Sequence, residues 1–195
     1  MLLQNPNFLF STDPITKEIA KSLYDEIKIL PIISPHGHCD PSWFSENESF
    51  PNPANLFVIP DHYIFRMLFS QGISLTELGV RSLTDTNFEK NPRKIWQKFS
   101  DNYHLFRGTP TALWLDYSFE KVFGLTTPLT SENAEYYYDF IENKLAQPEF
   151  SPRALFDRFN IEVLSTTDSA LSELEHHDNI RNSSWSGRVI PTYRP

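Results

Sequence analysis

Three short runs of apolar and β-branched residues, set far apart in the chain, constrain the fold most. Residues 29–35 read Ile29-Leu30-Pro31-Ile32-Ile33-Ser34-Pro35, residues 161–167 read Ile161-Glu162-Val163-Leu164-Ser165-Thr166-Thr167, and residues 188–194 read Arg188-Val189-Ile190-Pro191-Thr192-Tyr193-Arg194. The first has the make-up of a buried strand, and the second also reads as a strand. The third is weakened by Pro191, which removes a ladder donor. Between the runs the apolar residues recur at helical spacing. Strands that alternate with helices need crossover connections, so the order predicts an α/β fold with a parallel sheet. In such sheets the chemistry gathers at the carboxyl ends of the strands. His36 and His38 follow the first run, Asp168 the second, and Arg194 ends the third.

The helical stretches carry their own start signals. Asp13-Pro14 pairs a capping aspartate with a proline at the first helical position, and Ile15, Ile19, Leu23, Tyr24 and Ile27 follow on one face. Residues 41–60 read as loop, because prolines, asparagines and serines crowd there. Helices are expected from Asp61, where apolar residues on more than one side suggest a buried helix, and over 94–105, 113–123 and 132–145. Gly124 is placed to stop the third of these. Ser151-Pro152 repeats the cap-and-proline start, and Asp168 reads as the N-cap of a helix that turns Leu171 and Leu174 inward. Three regions follow: 1–40 with the first helix and strand, a mainly helical 41–150, and 151–195 with the second and third strands.

His36-Gly37-His38 is the sharpest chemical feature. Side chains alternate along a strand with period two, so both imidazoles leave the first strand on the same side. Such a pair suits a metal ion, although an isolated pair of this kind also occurs in loops without chemical consequence. The same alternation turns Cys39 away, toward packing. It is the only cysteine among 195 residues, so no intrachain disulfide is possible and a reducing compartment fits. With a net charge of −8 the chain offers no basic patch, which argues against nucleic acid as a partner. No run approaches the ~20 apolar residues of a membrane span, and the first residues do not read as a leader. A cytoplasmic protein is the simplest expectation.

Several further motifs carry a resemblance to a known family. These are Asn7-Phe8-Leu9-Phe10 before the first helix, Pro31-Ile32-Ile33 leading to His36 and His38, and Asp61-His62-Tyr63-Ile64-Phe65-Arg66-Met67. They continue with Trp114-Leu115 through Val122-Phe123-Gly124-Leu125, then Leu164-Ser165-Thr166-Thr167-Asp168, then Pro191-Thr192-Tyr193-Arg194-Pro195. In this order they resemble the amino-terminal part of uronate (glucuronate) isomerase, within the amidohydrolase superfamily. The resemblance covers nearly the whole chain. It implies a partial (β/α)8 TIM barrel, about its first three strands, with a helical insertion after strand 1. A complete barrel needs eight strands and about 250 residues, so a truncated chain with unpaired sheet edges is expected.

The resemblance also implies an activity, the aldose-ketose isomerisation of hexuronates: D-glucuronate to D-fructuronate and D-galacturonate to D-tagaturonate. His36 and His38 would be ligands to a divalent metal, zinc first among candidates, serving as a Lewis acid. The family's later ligand histidine and strand-eight aspartate have no counterpart, so weak affinity is expected of two ligands alone. His62 and Tyr63 match the family's substrate-contacting pair. A phenol can take the proton that moves between C1 and C2 only if a metal or histidine helps it. The Arg194 guanidinium suits a uronate carboxylate or a developing enediolate. Arg66, one helical turn from Tyr63, either binds that carboxylate or pairs with a neighbouring acid. A small hexuronate is thus the expected partner, with a homo-oligomer left open. Two other readings stand beside this one. A metal-dependent hydrolase of the same superfamily would share His36 and His38 without needing His62, Tyr63, Arg66 or Arg194. A non-catalytic truncated fragment is the other.

Overall fold

The computed structural model describes residues 7–81 and 87–194. Met1–Pro6 and Pro195, which entered the leader and P-T-Y-R-P readings, lie outside the described residues. In chain order the helices are α1 (Pro14–Ile27), α2 (Pro41–Glu46), α3 (His62–Ser70), α4 (Pro92–Asp101), α5 (Pro110–Tyr117), α6 (Ala134–Leu145), α7 (Pro152–Arg158) and α8 (Glu175–Asn182). The strands are β1 (Ile32–Ser34), β2 (Ile161–Ser169) and β3 (Arg188–Arg194), forming one sheet in the order β1-β2-β3. Both pairings are parallel. The α/β class with a parallel sheet is therefore observed. Among the described residues no helix is long and apolar enough to cross a membrane.

A polar cap followed by proline opens α1, α2, α4, α5 and α7: Asp13-Pro14, Asp40-Pro41, Asn91-Pro92, Thr109-Pro110 and Ser151-Pro152. The ring presets φ in all five, and in all but α7 the cap side chain accepts an orphan amide. In α1 the Asp13 carboxylate accepts the Thr16 amide at 2.9 Å. Asp40-Pro41 carries the same signal, and its carboxylate accepts the Ser42 amide at 2.9 Å. That overturns the loop expected over 41–60, which holds α2 and a turn of π-helix at Ala54–Val58. The prolines of that stretch start and separate short helices rather than preventing them.

The chain divides into two compact units. The helical unit, Phe50–Ala146, is built on aromatic packing. Trp96, Phe99, Phe106, Phe119, Tyr137 and Tyr138 are buried. The Trp96 indole N–H donates to the Ala134 carbonyl at 2.9 Å, which ties α4 to α6. The α6 face reads as expected, with Ala134, Tyr137, Tyr138, Ile141 and Leu145 all buried. Gly124 ends the helical stretch with φ of 85°, in the left-handed region that favours glycine. By contrast α3 buries only one side, through Ile64 and Leu68, while Tyr63 and Phe69 are exposed. It is not the helix apolar all round that its sequence suggested.

The sheet unit comprises residues 7–49 with 147–194. Leu164 of β2 and Val189 of β3 pack with Phe44 of α2, Phe156 of α7 and Ile180 of α8. One face of the sheet therefore lies against these helices. Cys39 packs against this cluster, and burial raises its thiol pKa. Two departures from the sequence reading concern this unit. β1 is three residues long, and Ile33 is 63% exposed where a buried strand was expected. The helix expected from Asp168 begins only at Glu175, after β2 has run on to Ser169. Leu171 is 93% exposed in the connection. Pro191 lies within β3, in register with Thr166 of β2, so the proline does not end the strand.

Candidate functional site

β1 delivers His36 and His38 to the carboxyl edge of the sheet. Their Nε2 atoms stand 3.2 Å apart, with ring centroids at 4.9 Å and planes nearly perpendicular. Two imidazoles on one tetrahedral zinc, each bonded at about 2.0–2.1 Å, would hold their nitrogens about 3.4 Å apart. The observed separation fits a shared cation. It equally fits one N–H···N hydrogen bond in the appropriate tautomer. Both residues are solvent-exposed, which leaves them open to an entering ion or ligand. Among the described residues no group of three or more His, Cys, Asp or Glu side chains is placed to hold a metal.

The glycine between the two histidines has a geometric reason. A Cβ on Gly37 would stand 3.2 Å from the Ser165 carbonyl oxygen of β2, closer than ordinary van der Waals contact. The Thr167 hydroxyl donates to the Gly37 carbonyl at 2.8 Å. The His36-Gly37-His38 turn is therefore fastened to β2 at its middle residue.

Asp168 lies inside β2, opposite Tyr193 of β3, and caps no helix. Its carboxylate accepts the Thr166 hydroxyl at 2.7 Å. Arg194 is the last residue of β3, in register with Ser169. Its backbone thus ends at the same edge of the parallel sheet as the histidine pair, and its side chain lies outside those described.

His62, Tyr63 and Arg66 belong to the helical unit. The Asp61 carboxylate accepts the amides of Tyr63 at 2.8 Å and Ile64 at 3.3 Å, so it starts α3 at His62. The His62 and Tyr63 rings lie against each other with centroids 4.2 Å apart. Tyr63 is exposed and lines a groove of about 420 Å³ with Met67, Phe106, Thr109, Pro110 and Trp114. Arg66 is exposed, one turn along the helix. The structure thus brings His36 to His38, and His62 to Tyr63, in separate units.

Two groups escaped the sequence reading. Tyr103 donates to Asp116 at 2.7 Å on the wall of a polar hollow of about 520 Å³ that also takes in Asp101, His104 and Arg107. Burial raises the pKa of both partners, and no local motif announces residues thirteen apart. The other is His177 on α8, buried beside Thr166 and Asp168. The doubled His176-His177 was the one visible sign of it.

A parallel sheet with a histidine pair at its carboxyl edge defines an α/β protein of the kind that does its chemistry at strand ends. Comparison with known proteins narrows the class. A family model described as glucuronate isomerase matches residues 4–195. The uronate isomerase of Brucella canis is 53% identical over 191 residues, covering 98% of this chain and 41% of that protein. That of Rhizobium meliloti is 51% identical over 193 residues, covering 99% and 41%. The crystal structure of glucuronate isomerase from Caulobacter crescentus superposes with a TM-score of 0.94 at 50% identity, over 100% of this chain and 40% of that one. The uronate isomerase structure from Thermotoga maritima gives 0.83 at 26% identity, over 98% and 39%. The chain belongs to the glucuronate isomerase family and spans about two fifths of the length of the curated relatives it matches.

Proposed function

We propose that the chain forms the first three strands of a (β/α)8 barrel that interconverts hexuronates, D-glucuronate with D-fructuronate and D-galacturonate with D-tagaturonate. The observation that carries this reading is the His36–His38 pair, with Nε2 atoms 3.2 Å apart at the carboxyl edge of a parallel sheet. The family membership supplies the substrate class.

His36 and His38 would hold a divalent metal, zinc first, through their Nε2 atoms. When bound, the ion supplies Lewis-acid polarisation of the substrate's carbonyl or hydroxyl oxygen. Gly37 and Thr167 orient the pair, since both ring directions depend on the turn they fasten. His62 and Tyr63 take substrate-contacting roles, and Tyr63 accepts and returns the proton that moves between C1 and C2. Arg66 and Arg194 bind the uronate carboxylate as planar donors. The exposed Ile32 and Ile33 of β1 support the barrel, because in a closed (β/α)8 sheet such neighbouring residues face the barrel interior and the surrounding helices in turn. A cytoplasmic location and a homo-oligomer belong to the same reading.

The test uses this chain joined to the carboxyl-terminal three fifths of a matched relative. His36→Ala and His38→Ala are each expected to lose bound metal and to lower kcat/KM for D-glucuronate on the order of 100-fold or more, as loss of a metal ligand should. Near-normal turnover in both variants would refute the metal role. A hydrolytic member of the superfamily would instead tolerate loss of Tyr63 and Arg194.

A further inference from the structure

His177 is 3% exposed, sits on α8, and has no role in the proposed chemistry. Its Nε2 lies 2.8 Å from the Thr166 hydroxyl, which in turn lies 2.7 Å from Asp168 Oδ2. Hydrogen counting fixes the directions. The Thr166 hydroxyl has one hydrogen, and the nearer of its two acceptors is the carboxylate, with the Ile190 carbonyl at 3.3 Å. His177 Nε2 must then donate into Thr166 Oγ1. In this Nε2–H tautomer every hydrogen of the chain His177–Thr166–Asp168 finds an acceptor. The other ring nitrogen, Nδ1, is buried with no hydrogen-bond partner among the described residues, as suits an atom that carries no hydrogen.

The consequence reaches the other face of the sheet. Thr166 and Asp168 flank Thr167, and strand alternation sends the Thr167 side chain away from theirs. Thr167 holds the Gly37 carbonyl between His36 and His38. Pinning residues 166 and 168 from the helix side therefore fixes the backbone from which Thr167 reaches that turn. We propose that His177 is a positioning residue, which through Thr166 and Asp168 sets the end of β2 and so orients the His36–His38 pair. Only the metal arm of the test below rests on the reading of that pair as a zinc site.

Long-range 1H–15N spectra of the 195-residue chain read the inference directly. His177 is expected as the Nε2–H tautomer. In H177L and in T167V the ring resonances of His36 and His38 are expected to move, with His104 as the internal reference. H177Q, whose side-chain amide can donate from near the Nε2 position, is expected to restore them. T167V, at a partly exposed residue, keeps the test available if H177L fails to fold. A proton on Nδ1 of His177, or unmoved His36 and His38 resonances in the variants that fold, would overturn the proposal. In the metal arm, H177L and T167V are expected to weaken zinc uptake about tenfold and H177Q to stay within about twofold, the range typical of groups that orient ligands. If the wild-type chain takes up no zinc, the metal reading fails, and the ring resonances alone decide the role of His177.

Discussion

The helical unit and the sheet unit use apolar residues in opposite ways. In the helical unit nearly every helix finds a partner for its apolar face, so that Trp96, Phe99, Phe119 and Tyr137 lie fully enclosed. In the sheet unit α1 has as regular an apolar stripe and buries none of it. Ile15, Ile19, Leu23, Tyr24 and Ile27 are all exposed, as are Ile32 and Ile33 on β1. Periodicity states which face of a helix is apolar; whether that face is buried depends on what lies across from it. The sheet unit carries the histidine pair, and it also carries the larger share of unmet apolar surface.

Substitutions can break or sharpen this contrast. The largest effect is expected from Trp96→Ala, which empties an enclosed aromatic site and removes the indole bond to Ala134. It should cost about 3–5 kcal/mol in urea unfolding of the helical unit; a loss below about 1 kcal/mol would mean that the aromatic cluster is not what holds the unit. Asp61→Ala should follow at about 1 kcal/mol, since it removes the cap of α3.

An acid-dependent effect comes next. The Lys98 ammonium, first, and the Ser74 hydroxyl and amide hold Glu77 down at about 2. Its folded pKa lies below its ordinary value of 4.5, so its contribution is full above that value and is lost as pH falls toward about 2. Glu77 is exposed, so the effect is small. Glu77→Gln should flatten the acid limb of the stability curve in that window and leave neutral pH nearly untouched. An unchanged acid limb would mean that the Lys98 contact is screened in solution. The smallest effect is expected from Leu23→Asp on α1. At a 64% exposed residue the change should stay within about 0.5 kcal/mol. A loss of 2 kcal/mol or more would show that the stripe is covered after all, and would erase the contrast.

Much of this architecture is legible in the residues. Parallel pairing follows from the alternation of strands with helices, the α6 face follows from periodicity, and Gly124 as a stop follows from its freedom at positive φ. The reading failed where one signal has two outcomes. Asp168 looks like an N-cap because aspartate is favoured there, yet β2 continues through it and its carboxylate turns to Thr166. Proline density over 41–60 reads as loop, although Asp40-Pro41 is the same start signal that was recognised at Asp13-Pro14. At the site, His36 and His38 are visible because two residues of spacing suffice to bring them together. His177 is not, because it meets Thr166 across eleven residues and only the crossover from β2 to α8 makes them neighbours.

Zinc uptake by the wild-type chain and by the His36→Ala/His38→Ala double variant tests the central claim most directly. The account predicts one bound equivalent in the wild-type chain, weak because no third ligand joins the pair among the described residues, and its disappearance in the double variant. Equal uptake by the two proteins would contradict it.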